Sequence, residues 1–254
     1  SKSQAWVLAR GGPKKIIHFT YDPSRSGAVA KRLLDGFKGY LQTDGYKGYD
    51  WVGLVACIIH LGCMAHARRK FDEAVKAKKP GTKSGLADEA LALINKLYLI
   101  EREGQDMDPM QRKHLRDQKS KPILDELKKL LENGLITIPP KTLTGKAVQY
   151  TYKIWDRLIR YLEDGRLKID NNTAENSIRP FAVGRKNWLF AGSDEGGRRA
   201  AILYSIVETC RRHDINVFEY LRDVISRLTT HPAKLVGDLL PVRWQALRLV
   251  PATS

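Results

Sequence analysis

Apolar positions in the first fifth of the chain fall into two short runs, Ala5-Trp6-Val7-Leu8-Ala9 and Ile16-Ile17-His18-Phe19-Thr20, separated by Gly11-Gly12-Pro13. Short apolar runs flanking such turn residues predict two strands paired antiparallel. After the turn at Asp22-Pro23, Val29, Leu33 and Phe37 share one helical face between Gly27 and Phe37, and Gly39-Tyr40-Leu41-Gln42-Thr43 resumes a strand. Leu54 to Ile59 is short, apolar and partly β-branched, which predicts another buried strand, and Met64 to Lys78 reads as a basic amphipathic helix.

From about Gly85 to Asp164 the period changes. Leu86, Ala90, Leu93, Ile94, Leu97 and Ile100 recur at helical spacing, as do Ile123, Leu127, Leu130 and Leu131, and then Tyr150, Ile154, Leu158 and Tyr161. Pro122 and Pro139-Pro140 are expected to interrupt this block, which reads as an all-helical insertion packing on itself. The last third is helical again, with Leu203, Ile206, Val207 and Cys210 on one stripe and Val217, Leu221, Val224 and Leu228 on the next. The expected organisation is a first part of an α/β core over 1–80, a helical insertion over 81–164, a second part of the core over 165–229, and a tail over 230–254.

Composition narrows the partners. With 254 residues, 43% of them hydrophobic, the chain can bury a sizeable core. Its 44 Lys and Arg against 28 Asp and Glu give a formal charge of +16, which makes nucleic acid the leading partner. Three cysteines, Cys57, Cys63 and Cys210, are too few and too odd to staple the fold, which fits a reducing, cytoplasmic setting. The apolar run from Leu54 stops at His60, far short of the roughly 20 residues of a membrane span. Ser1 opens the sequence with no initiating Met, which reads as a start inside a longer frame.

Two segments place carboxylates at boundaries of regular structure. Asp44 follows a strand directly, and Glu175 sits about one turn into a helix that opens near Asn172. Carboxylates so placed can share divalent metal, and two Mg²⁺ ions about 3.5–4 Å apart would suit phosphodiester cleavage. The plainer alternatives are a turn at Asp44-Gly45 and a capping-box variant at Asn172-Thr173-Ala174-Glu175. Cys57, His60, Cys63 and His66 recur every third residue, but on a helix each step turns the ligand by about 60° and on a strand the four alternate faces, so they do not converge on zinc.

Four ordered motifs decide between these alternatives: Leu41-Gln42-Thr43-Asp44-Gly45-Tyr46, Cys63-Met64-Ala65-His66-Ala67-Arg68-Arg69-Lys70-Phe71, Asn171-Asn172-Thr173-Ala174-Glu175-Asn176-Ser177-Ile178-Arg179-Pro180, and Arg185-Lys186-Asn187-Trp188-Leu189-Phe190-Ala191-Gly192-Ser193. Together with Leu239-Leu240-Pro241-Val242-Arg243-Trp244 they closely resemble the insertion-sequence-66 family of bacterial transposases. The resemblance implies a ribonuclease-H-like catalytic domain, a mixed sheet flanked by helices, with three acidic residues that bind Mg²⁺, for which Mn²⁺ would substitute. It matches Asp44 to the second Asp and Glu175 to the final Glu. The first Asp is expected on a strand upstream of Ser1, so the chain as given is expected to be catalytically incomplete.

The same resemblance implies double-stranded DNA as partner, both element ends and target, with a homo-oligomer assembling on it near the nucleoid. Cys63 and His66 match a Cys-x-x-His pair that supports the site or the DNA. His66, Arg68, Arg69 and Lys70 on one helix, and Arg179, Arg185, Lys186 and Asn187 beyond Glu175, are the expected DNA contacts, with solvated faces as the alternative. Two rival readings stay open: a nuclease of the same fold that hydrolyses without joining, and an inactive remnant that binds DNA through its basic surface.

Overall fold

The computed structural model describes residues 4–10, 15–24, 26–79, 81–188 and 193–249, with side chains at all of these except 4–10, 181–182, 184–188 and 249. Among them the chain is mostly helical, with eleven α-helices and four short strands. The strands form two two-stranded sheets, which do not by themselves make the mixed sheet of a ribonuclease-H-like core. The chain divides into two compact units, residues 30–172 and residues 1–29 with 173–254.

In the unit of residues 30–172, β3 (Gly39–Gln42) and β4 (Ile58–Leu61) run parallel, Gly39 opposite Ile58 and Gln42 opposite Leu61. The strand expected from Leu54 therefore starts at Ile58. Lys47–Leu54 coils into a 3₁₀ helix that buries Val52 and leaves Leu54 88% exposed. His60, which had seemed to end the apolar run, lies inside β4 and is buried, because a neighbouring hydroxyl meets its ring nitrogen.

After β4 come α2 (Met64–Lys76), α3 (Leu86–Glu103), α4 (Pro109–Leu115), α5 (Lys121–Thr137), α6 (Leu143–Lys153) and α7 (Trp155–Ile159). Met64, Ala67, Phe71 and Ala74 make one buried stripe on α2, and Ala90, Leu93, Ile94, Leu97 and Ile100 make another on α3. These close on Leu127 and Leu131 of α5 and Ala147 and Val148 of α6 in one core that also takes in Leu61, Leu158 and Tyr161. Burial of each large side chain contributes roughly 1.5–3 kcal/mol.

Pro122 does not break the block. A π-helical turn at Arg116–Ser120 joins α4 to α5 and places Pro122 in the first turn of α5. The wider turn accommodates a residue that has no N–H to donate and whose ring crowds the preceding turn. That π turn carries Arg116, 1% exposed, with all five guanidinium N–H groups engaged. Nε and Nη2 donate to the two carboxylate oxygens of Glu101 at 2.8 and 2.6 Å, and the remaining donors reach the carbonyls of Tyr161, Asp164 and Leu167. The segment leading out of the helical block is thus tied to α3.

In the other unit, β1 (Gln4–Arg10) and β2 (Ile16–Asp22) pair antiparallel, Gln4 opposite Asp22 and Arg10 opposite Ile16, as the turn chemistry predicts. Helix α1 (Gly27–Leu33) follows, and α8 (Asn172–Trp188), α9 (Asp194–Arg212), α10 (Val217–Leu228) and α11 (Pro241–Leu249) complete the chain. The second edge of β2 is covered by α9, whose hydroxyls do the work of a third strand. The N–H groups of Ile17 and Phe19 donate to Thr209 Oγ1 and Ser205 Oγ at 3.3 and 2.8 Å. Helix α9 packs this closely because Gly197 has no side chain: a Cβ there would stand 2.5 Å from Cδ2 of Tyr21. A separate cluster joins Cys210, Ile215, Tyr220 and Trp244, with the Trp244 indole N–H donating to Asp223 at 2.7 Å. No helix among the described residues is long and apolar enough to cross a membrane.

Candidate active site

Parallel strands end side by side, so the residues after β3 and after β4 emerge at one edge of the sheet, the edge where open α/β sheets hold ligands. Asp44 follows β3, and Cys63 follows β4 as the N-cap of α2. The backbone of residues 168 and 169 closes on the same edge: Gln42 Nε2 donates to the carbonyls of Gly62 and Lys168 at 3.0 and 2.8 Å, and Met64 N donates to Ile169 O at 3.1 Å.

Asp44 is half-buried. Its Oδ1 accepts the Tyr46 backbone N–H at 3.1 Å, a turn that fixes the carboxylate's direction, while Oδ2 makes no hydrogen bond among the described residues. The Thr43 hydroxyl donates to the Asp44 carbonyl at 2.8 Å and lies 2.7 Å from Nε2 of His60. Its one hydrogen is spent on the carbonyl, so it accepts from Nε2–H, and His60 is the neutral tautomer with a bare, buried Nδ1. Burial, with Arg157 and Arg160 adding to it, pushes the His60 pKa down to about 4.

Tyr150 of α6 lies directly over Gly45, with ring carbon Cε2 2.6 Å from where a Cβ would stand. Lys70 Nζ sits 4.7 Å from the centre of the same ring. Burial raises the Tyr150 hydroxyl to about 12, with the nearby Cys63 thiol and Asp44 carboxylate acting in the same direction. Burial likewise raises the Cys63 thiol to about 11, so without a metal it is protonated near neutral pH. Asp44 is a hard oxygen donor with one free oxygen, which suits Mg²⁺ or Mn²⁺.

Glu175 lies one turn into α8, half-buried, in the unit of residues 1–29 and 173–254. That turn is clamped: Arg212 Nη2 donates to Thr173 O at 2.8 Å and to Ser177 Oγ at 2.6 Å, and Ser177 Oγ donates to Thr173 O. Ile178 packs with Ile17, Phe19 and Tyr204. Asp170, rather than Asn172, caps the helix, its Oδ1 taking the Asn172 N–H at 3.1 Å.

The basic residues divide. Arg68 and Arg69 line a groove between α2 and α3, whereas Lys70 stacks on Tyr150. His66 is half-buried in the first turn of α2, and Arg179 is exposed. The side chains of Arg185, Lys186 and Asn187 lie outside the described ones. Cys57 is exposed, with its thiol on the Phe37 carbonyl, and His60 is held by Thr43, so both are engaged away from any shared zinc site.

Residues 1–199 match the model described as "Transposase IS66 family". The chain belongs to the IS66 transposase family. Residues 205–242 match the IS66 C-terminal element. Among its relatives, the uncharacterized protein y4hP of Sinorhizobium fredii is 34% identical over 245 residues, covering 92% of this chain and 44% of its own length. The uncharacterized protein y4qI of the same organism is 32% identical over 255 residues, covering 95% and 47%. A 49-residue stretch, 19% of this chain, is 41% identical to the uncharacterized protein YuaK of Escherichia coli, covering 52% of it. The chain spans about half the length of the first three curated relatives it matches. No solved structure matches it.

Sequence motifs single out Asp44 and Glu175 but give no sign of the residues whose contacts order the segments around each. Thr43, His60, Tyr98, Tyr150 and Asp170 lie on different elements, and local periodicity carries no signal for a partner 72 or 105 positions away. Asp170 had a signal that was available: an Asp whose side chain takes the N–H two residues on is an ordinary Asx turn.

Proposed function

We propose that the chain is the catalytic part of an IS66-family transposase, with a ribonuclease-H-like core carrying a helical insertion, cleaving element ends and joining them to target DNA. The observation that carries this reading is Asp44, set at the end of a parallel strand with one carboxylate oxygen fixed and the other uncommitted. Asp44 and Glu175 would hold the divalent ions, Mg²⁺ or Mn²⁺. Such ions, when bound, stabilise the attacking and leaving oxygens of an in-line displacement. The chain's own residues set the geometry: Tyr46 N–H orients Asp44, Tyr150 confines Gly45, and Arg212 fixes the turn of α8 that carries Glu175. Basic residues at Arg68, Arg69 and Arg179 face the phosphates of double-stranded DNA, and the assembly on DNA is a homo-oligomer.

The test is end cleavage and strand transfer by the complete gene product on labelled element ends with Mg²⁺. Asp44→Asn and Glu175→Gln are each expected to slow both steps by about 100-fold or more. Wild-type cleavage without joined product would make the protein a hydrolytic nuclease. Unchanged rates in both variants would remove these carboxylates from the chemistry.

A further inference from the structure

Between α2 and α3 runs an open groove of about 720 Å³. Ala65 keeps its floor low on the α2 side, and Arg68, Arg69 and Arg102 supply three cations along its walls. Its one carboxylate, Asp72, is paired with Lys76 at 2.7 Å and adds no net charge of its own. Arg68 is pre-aimed: its Nε donates to Asn95 Oδ1 at 2.8 Å, and its two terminal nitrogens make no hydrogen bond among the described residues. A guanidinium anchored through Nε presents its outer edge as a fork, the geometry that takes two oxygens of one phosphate. Arg102, two turns along α3 from Asn95, is exposed, and its side chain bonds to no other described residue.

We infer that this groove seats the phosphodiester backbone of DNA, and that the helical block, through Asn95 and Arg102, is a DNA-contacting element in its own right. A groove with three arginines and a neutralised acid suits a polyanion, and a backbone with regularly spaced phosphates can meet Arg68 and Arg102 together. The inference rests on the reading that the protein binds DNA and adds to it a place and a set of α3 residues.

The experiment measures binding of the chain to a labelled DNA duplex by fluorescence anisotropy across a series of salt concentrations. Arg68→Ala with Arg102→Ala is compared with Lys121→Ala and Lys128→Ala, a pair of exposed cations on α5 that removes the same charge. The groove pair is expected to weaken binding at least about tenfold at low salt and to flatten the log–log salt slope by about 2. Arg102→Ala alone, which breaks no hydrogen bond or ion pair among the described residues, is expected to flatten it by about 1. Equal losses in the groove and control pairs, or no loss in the groove pair, would overturn the groove while leaving DNA binding itself in place. No salt-dependent binding by the wild-type chain would overturn both.

Discussion

The Tyr98 hydroxyl donates to Asp170 Oδ2 at 2.9 Å, while Oδ1 of the same carboxylate accepts the backbone N–H of Asn172, the first residue of α8. Helix α3 of the helical block thereby holds the Asp170 carboxylate within the unit of residues 30–172. The Tyr98 hydroxyl is held far above its ordinary pKa, first by burial and then by the Asp170 charge, so it remains a donor throughout the working pH range.

Tyr98→Phe keeps the ring and removes that donor. A hydrogen bond to a charged acceptor contributes about 1.5–3 kcal/mol, and Asp170 keeps its two bonds from Asn172, so the expected loss is at the lower end, about 1.5 kcal/mol. Urea unfolding would measure it. Asp170→Ala, which removes the cap as well, should cost more, and equal midpoints for wild type and Tyr98→Phe would show that the bond contributes nothing.

Gly45→Ala tests the roof over the Asp44 turn. The new methyl would meet the Tyr150 ring, so either the ring or the turn must move, at a cost of about 1–3 kcal/mol. If the turn moves, Asp44 is displaced and Mn²⁺ binding followed by calorimetry weakens. Tyr150→Ala in the same chain should restore both, whereas a Gly45→Ala protein as stable as wild type would mean that the ring yields freely.

Much of this architecture was legible locally. The β1–β2 pair and the buried stripes of α2 and α3 follow from short-range signals, the turn chemistry between the strands and the three-to-four spacing of apolar residues along the helices. The rest depends on distant partners. His60 looked like the end of an apolar run because the Thr43 hydroxyl that satisfies it is 17 residues off, and nothing local marks Arg116 as buried because its carbonyl partners begin 45 residues later. Pro122 looked like a break because a π turn has no clear sequence signature. Asp44 and Glu175 are singled out only by motif resemblance; strand-end and helix-start signals alone favour a turn and a cap.

Arg116→Lys tests whether the buried fork or merely its charge secures the exit from the helical block. Lysine has three donors on one nitrogen and cannot bridge both Glu101 oxygens while reaching three carbonyls. Breaking one side of a buried pair costs about 3–5 kcal/mol, and Arg116→Met, which strands the Glu101 carboxylate, should fall in that range. Arg116→Lys should recover part of it. Combining Arg116→Met with Glu101→Met should be less harmful than Arg116→Met alone, and a simple sum of the two single effects would show that the pair is not coupled.

His60 gives the fold a pH dependence of calculable direction. It is neutral in the native state with a pKa near 4, against an ordinary value of 6.5, so below pH 6.5 the unfolded chain binds a proton that the folded chain refuses. The stabilisation is complete above about pH 6.5, declines as the pH falls towards 4, and is gone below that. A shift of this size corresponds to about 3 kcal/mol across the window. Carboxylates also titrate near its lower end, so the measurement is a difference: unfolding free energies of wild type and His60→Gln from pH 7.5 to 4. Glutamine can still donate to Thr43 but takes up no proton, so the gap between the two proteins should shrink by about 3 kcal/mol as the pH falls, most steeply between 6 and 4.5. A gap that stays constant over that range would mean that His60 accepts its proton in the folded state as readily as in the unfolded one, and that burial beside Arg157 and Arg160 does not hold it neutral.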